Sequence, residues 1–153
     1  MNKLVGYTEL NIKGEVIPVK FGLRALEFFM AGYGVKLNDL PTLFEMTTFI
    51  DPNTKKESVA VMPKELIKFL AISIWAGANY VAERNGKGIN YYSLDTVYDE
   101  WLDEIGLVSK EGTQIISTFS AAILNGGTLP KQIDEVETEN KKEVKKKNLT
   151  SKV

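Results

Sequence analysis

The 153-residue chain contains no cysteine and no histidine. Without thiols there can be no disulfide, no thiolate nucleophile and no cysteine-ligated zinc, and without imidazole there is no catalytic triad and no proton shuttle tuned to neutral pH. Any catalysis would have to rest on carboxylates, Ser or Lys. Net charge is also nearly absent: 19 Lys plus Arg face 20 Asp plus Glu. That balance gives no overall pull toward nucleic acid or an acidic membrane. A long hydrophobic run is missing too. The most apolar stretch, Leu66 to Ala82, is broken by Ser73, Gly77 and Asn79 and set among Lys64, Glu65, Lys68, Glu83 and Arg84. Its apolar segment of about 14 residues is shorter than the ~20 a membrane span needs. Met1 to Val5 lacks the pattern of a secretion signal, so a cytoplasmic protein without a membrane partner is expected. No repeat of useful period appears.

What is present is a 44% hydrophobic composition, enough for one core without staples. Residues 63 to 84 organise the rest. Pro63 suits a first helical turn and Asn85-Gly86 a helix end, so one long central helix is expected. Its apolar side chains point to nearly every side, which requires cover on most faces.

Ahead of it, Tyr7 to Ile12 and Glu15 to Phe21 alternate polar and apolar around Lys13-Gly14, the pattern of a β-hairpin. A two-residue loop would set Leu10 opposite Ile17 and Thr8 opposite Val19; a type I turn with Gly14 as a bulge is the competing geometry. Pro18 belongs where no ladder N–H is needed. Leu23, Leu26, Phe29, Met30 and Tyr33 then recur at helical spacing. A second short helix is expected from Asn38-Asp39-Leu40-Pro41, with Leu40, Leu43, Phe44 and Ile50 inward, followed by a polar turn at Asp51 to Lys56 and an extended Ser58 to Met62.

Beyond the central helix, Ser93 can cap a helix with Leu94, Val97, Tyr98, Trp101, Leu102 and Ile105 in one stripe, and Ser109 a last one with Ile115, Ile116, Phe119, Ile123 and Leu124 inward. The expected fold is therefore mainly α with an N-terminal β-hairpin, an α+β domain over residues 1–127. From Thr128 the composition turns acidic and then basic (Lys141, Lys142, Lys145, Lys146, Lys147), and residues 128–153 read as a disordered charged tail.

Few constellations carry chemistry. Asp95, Asp99 and Asp103 recur at i, i+4, i+8 with Glu100 and Glu104 beside them, a pattern that could hold a cation or a basic segment. A solvated face explains it better, since like charges one turn apart cost stability and no Gly-bearing Asx loop accompanies them. Gly86-Lys87-Gly88 follows a helix rather than a strand, so it is not a phosphate loop. Tyr91-Tyr92 with Lys87 lacks the second basic and aromatic cluster that base stacking would need, so no specific nucleic acid is expected. No catalytic, cofactor or metal residues are assigned. Trp75 and Trp101 read as core.

The stretch from Tyr7 through Lys13-Gly14 and Phe21-Gly22 to Ala25-Leu26-Glu27-Phe28-Phe29 resembles the opening of tail assembly chaperones of long-tailed bacteriophages and prophages. The match covers Tyr7 to Phe29, 23 of the 153 residues. It implies a non-catalytic protein of the host cytoplasm that keeps the tape measure protein soluble and helps recruit tail tube subunits; self-association, which would raise the avidity of weak sites, is a separate expectation. Lys145-Lys146-Lys147-Asn148 is compatible with the A-rich slippery site from which such families make a longer form. Candidate partner-binding residues are Phe28 and Tyr33 on the first helix and Asp99 and Asp103 on the acidic face. The alternatives are a structural tail completion or connector subunit that adds strands to a ring, and a small enzyme built on Asp99 and Asp103.

Overall fold

The computed structural model describes residues 6–88 and 90–126. The expected charged tail, like the reading of Met1 to Val5, lies outside them. The observed order is β1 (Tyr7–Ile12), β2 (Glu15–Lys20), α1 (Leu23–Tyr33), a 3-10 segment (Leu37–Leu43), β3 (Phe44–Ile50), β4 (Glu57–Pro63), α2 (Leu66–Arg84), α3 (Leu94–Thr96), a π turn (Val97–Trp101), α4 (Leu102–Ile105) and α5 (Lys110–Leu124). It is an α+β fold with two separate two-stranded antiparallel sheets.

β1 and β2 pair with Leu10 opposite Ile17 and Thr8 opposite Val19. Lys13 and Gly14 both take positive φ, 52° and 86°, so the two-residue loop is a type I′ turn despite its lysine. Leu10, Ile12, Ile17 and Val19 all face inward and are buried. That face lies on α2, and its closest approach explains one glycine: a methyl group on Gly77 would sit 2.5 Å from Val19 Cγ1 and 3.1 Å from the Lys20 backbone.

α2 is covered as its composition demands. Phe69, Leu70, Ala71, Ile74 and Ala76 have no exposed surface at all. α1 and α5 lie against it, and aromatic rings link the three: Phe29 meets Phe69 at 5.2 Å and Phe119 at 6.1 Å, while Phe119 meets Phe21 edge-on at 5.1 Å. Arg24 on α1 clamps Glu83 on α2 with two bonds of 2.9 Å, Nε to Oε1 and an Nη to Oε2. Ser109 caps α5 as expected, its Oγ accepting from the Gly112 N–H. Leu124, expected inward, is half exposed at the end of that helix.

Two expectations fail here. Pro63 does not open the central helix; it ends β4, and α2 begins at Leu66. The short helix expected through Ile50 stops at Leu43. Leu40, Leu43 and Phe44 do turn inward, but Ile50, the residue that would complete the stripe, is 66% exposed on a strand. Met46-Thr47-Thr48-Phe49-Ile50 is rich in β-branched and aromatic side chains, and Val59 to Met62 across the Asp51–Lys56 loop gives it a strand partner.

Candidate interaction surfaces

The second hairpin is built from its turn outward. Asp51 Oδ1 accepts from the backbone of Asn53 at 2.7 Å and of Thr54 at 3.3 Å, an Asx turn that reverses the chain, and Lys55 takes the left-handed conformation at φ 62°. At the root, Phe44 is buried edge-on against Phe69 at 5.5 Å and Pro63 is buried beside it. Between root and turn the ribbon stands clear of the core. Met46 (68%), Ile50 (66%), Val59 (58%) and Phe49 (50%) are at least half exposed, and Val61 and Met62 are exposed as well.

Register sorts these side chains. Met46 faces Val61, Thr48 faces Val59 and Ile50 faces Glu57, so one side of the ribbon carries Met46, Ile50, Val59 and Val61 in continuity with buried Phe44 and Pro63. The other side carries Phe49, Ala60 and Met62. The six large apolar side chains together present on the order of 600 Å², divided between the two faces.

A second surface lies where the first turn of α2 meets the segment from Tyr98 to Leu107. Two adjoining hollows, of about 300 and 520 Å³, share Ile67, Tyr98 and Leu107 in their lining. Leu102, Asp103 and Gly106 complete one, Glu65, Leu66 and Lys68 the other. Ile67 is 53% exposed there. Burial, and next the Glu65 carboxylate, raise the Tyr98 hydroxyl above its ordinary value.

Of the residues expected from sequence to bind a partner, Phe28 and Tyr33 are buried. Phe28 is covered by Trp75, edge-on at 6.1 Å, and by the Arg24 guanidinium 4.6 Å from its ring centre. Tyr33 stacks on Phe29 at 5.3 Å, and its hydroxyl donates to Glu65 Oε1 at 3.3 Å. Neither offers surface to a partner. Burial and the Glu65 charge push the Tyr33 hydroxyl up to about 12. Asp99 and Asp103 are exposed, and Asp103 stands on the rim of the hollow. They do not sit one α-turn apart as their spacing suggests, because the Val97–Trp101 turn closes i→i+5, with the Leu102 N–H on Val97 O. Among the described residues no group of three or more His, Cys, Asp or Glu side chains could hold a metal ion. Among them, too, no helix is long and apolar enough to cross a membrane.

Of this ribbon the sequence predicts the polar turn at Asp51 to Lys56 and an extended Ser58 to Met62, but a helix in place of β3. The ribbon's signal was a run of β-formers on each side of a polar turn, Asp51 to Lys56, the same rule that revealed β1 and β2.

Among the described residues, fold and surfaces together define a small α+β domain with an exposed apolar β-ribbon. In comparisons with known proteins, no family model, no curated protein and no solved structure matches the chain.

Proposed function

We propose that this protein is a tail assembly chaperone of a long-tailed phage or prophage, acting in the host cytoplasm without chemistry. Its task is to keep the apolar, helical tape measure protein soluble and to help bring tail tube subunits to it. The observation that carries this reading is the ribbon of β3 and β4: six large apolar side chains remain in water although the core beneath them is complete. A holding protein needs such surface, because apolar burial is non-directional and tolerates a client of varied sequence. The resemblance of Tyr7 to Phe29 to the openings of such chaperones supports the same reading, as does the lack of His and Cys. The hollow of Ile67, Tyr98, Leu102 and Leu107, with Asp103 on its rim, is a second apolar surface suited to one face of a client helix.

Coexpression with the long helical protein encoded just downstream tests the reading. More of that partner should stay in the soluble fraction than without this chain; no change at any expression ratio sinks the proposal. A structural tail subunit is the second reading, favoured by the open strand edges of the ribbon, since rings of subunits grow by strand addition. Stoichiometric amounts of the chain in purified mature particles would select it, because a chaperone leaves its client as the tube closes.

A further inference from the structure

The hydrogen bonds at the two ends of the ribbon fix which of its main-chain groups are unused. At the turn the Asp51 N–H donates to Lys56 O at 2.9 Å, and at the root the Lys64 N–H donates to Leu43 O at 2.8 Å. Hydrogen-bonded and non-hydrogen-bonded pairs alternate along an antiparallel ladder. Both ends therefore assign the bonded pairs to Glu45–Met62, Thr47–Ala60 and Phe49–Ser58. The remaining pairs, Met46–Val61, Thr48–Val59 and Ile50–Glu57, direct their N–H and C=O groups away from the ribbon, and among the described residues no other strand pairs with either edge.

The two edges differ. On β4, Pro63 has no N–H to offer at the root and Glu57 puts a charge near the tip, the devices that keep edges from pairing. β3 has no proline, and its one charged residue, Glu45, belongs to a bonded pair whose N–H and C=O turn toward β4. An edge of this kind is self-complementary, since antiparallel pairing about a two-fold axis meets each outward N–H with an outward C=O of the same set.

We infer that β3 pairs antiparallel with β3 of a second copy of this chain, joining two ribbons into one four-stranded sheet. A two-stranded ribbon clear of the core is marginal in water, and four strands with an apolar face are not. Met46, Ile50, Val59 and Val61, on the one face that pairing would extend, expose on the order of 400 Å² for each chain, a patch of the size that marks protein–protein contacts. Because Met46, Thr48 and Ile50 carry both the outward main-chain groups and side chains of the same face, pairing makes the Met46, Ile50, Val59 and Val61 surfaces of the two copies continuous. The inference does not rest on the chaperone reading; it holds or fails for a protein of any function.

Sedimentation of the wild-type chain, with hydrogen exchange read residue by residue, tests it. The particle mass should rise with concentration to twice the 17.1 kDa of one chain. The amides of Met46, Thr48 and Ile50 should then exchange about tenfold or more slowly than at high dilution, while those of Val59 and Val61 stay fast. Thr48→Pro removes an outward N–H without touching a bond inside the ribbon, so it should leave a folded monomer; Val59→Pro does the same on the other edge and should still dimerise. A wild-type chain that stays monomeric across the micromolar range overturns the inference. So does a dimer whose β3 amides remain unprotected, and so does one that Val59→Pro abolishes and Thr48→Pro spares. The wild-type exchange measurement decides the matter even if either proline variant fails to fold.

Discussion

Asn79, buried in the middle of α2, holds the backbone of Tyr92 from both sides: its Oδ1 accepts the Tyr92 N–H at 2.9 Å and its Nδ2 donates to Tyr92 O at 3.1 Å. The same Tyr92 carbonyl accepts from Trp75 Nε1 at 3.0 Å, and the Asn79 amide also reaches Trp75 O at 2.9 Å. A side chain that looks out of place in an apolar helix thus substitutes for the secondary structure that the chain around Tyr92 lacks. It also sets the start of the segment that bears Tyr98 and Asp103, since Tyr92 meets buried Trp101 edge-on at 4.9 Å.

Asn79→Ala leaves the Tyr92 N–H without its buried partner. The expected cost is about 2 to 3 kcal/mol in denaturant unfolding, with weakened near-ultraviolet circular dichroism from Trp75 and Trp101. An unchanged denaturant midpoint would show that water replaces the amide at no cost.

Gly77→Ala puts a methyl group against Val19 and the Lys20 backbone, and is expected to destabilise by about 1 to 3 kcal/mol even though alanine favours helix. Combining it with Val19→Ala should cost less than the sum of the two single changes, because removing Val19 Cγ1 opens the space the new methyl needs. Strict additivity would mean that the strand and helix do not meet at this point.

Ser73 is fully buried on α2, and its hydroxyl has no hydrogen-bond partner. Ser73→Ala removes an unsatisfied polar group and improves helix propensity, so the unfolding free energy should rise by about 1 kcal/mol. A fall of that size would reveal a bond that the hydroxyl makes in solution.

Tyr33 should make stability fall in alkali. Its hydroxyl is raised to about 12 by burial and by Glu65, while tyrosine in an unfolded chain titrates near ~10. The folded state therefore holds this proton more tightly. The contribution is fully present below the unfolded value and is lost as pH rises through the folded one. Between those two values Tyr33→Phe should show a shallower loss of stability with pH than wild type. Tyr92 and Tyr98, also raised by burial, should keep the variant's slope from vanishing. Equal slopes for the two proteins would remove Tyr33 from the account.

The legible parts of the sequence were those where one face is buried. Leu10, Ile12, Ile17 and Val19 alternate because one side of β1 and β2 lies on α2, and the two-residue loop, one of the two turn geometries open to that alternation, is the one whose register is observed. β3 and β4 have apolar side chains on both sides and neither side covered, so no alternation marks them. Leu40, Leu43 and Phe44 are inward at a spacing that fits a helix, although only Leu40 and Leu43 lie in the 3-10 segment and Phe44 opens β3. Pro63 is equally at home in a first helical turn and at the end of an edge strand. Tyr33 shares the helical spacing of Leu26, Phe29 and Met30, and its stacking on Phe29 with the hydroxyl on Glu65 removes it from the partner surface expected of it and Phe28. The π turn at Val97 has no sequence signature, because its i→i+5 bond changes spacing without changing composition.

The most direct measurement is the soluble fraction of a coexpressed tape measure protein when the apolar ribbon is made polar. Met46→Glu with Val61→Glu places two charges side by side on the face that continues from the core, and Leu124→Glu, at the half-exposed end of α5, is the matched control. With all three proteins folded, the expected result is that wild type and Leu124→Glu keep the partner soluble and the ribbon variant loses most of that effect. Equal rescue by the ribbon variant would contradict the assignment of client binding to the ribbon, and no rescue by the wild type would contradict the chaperone function itself.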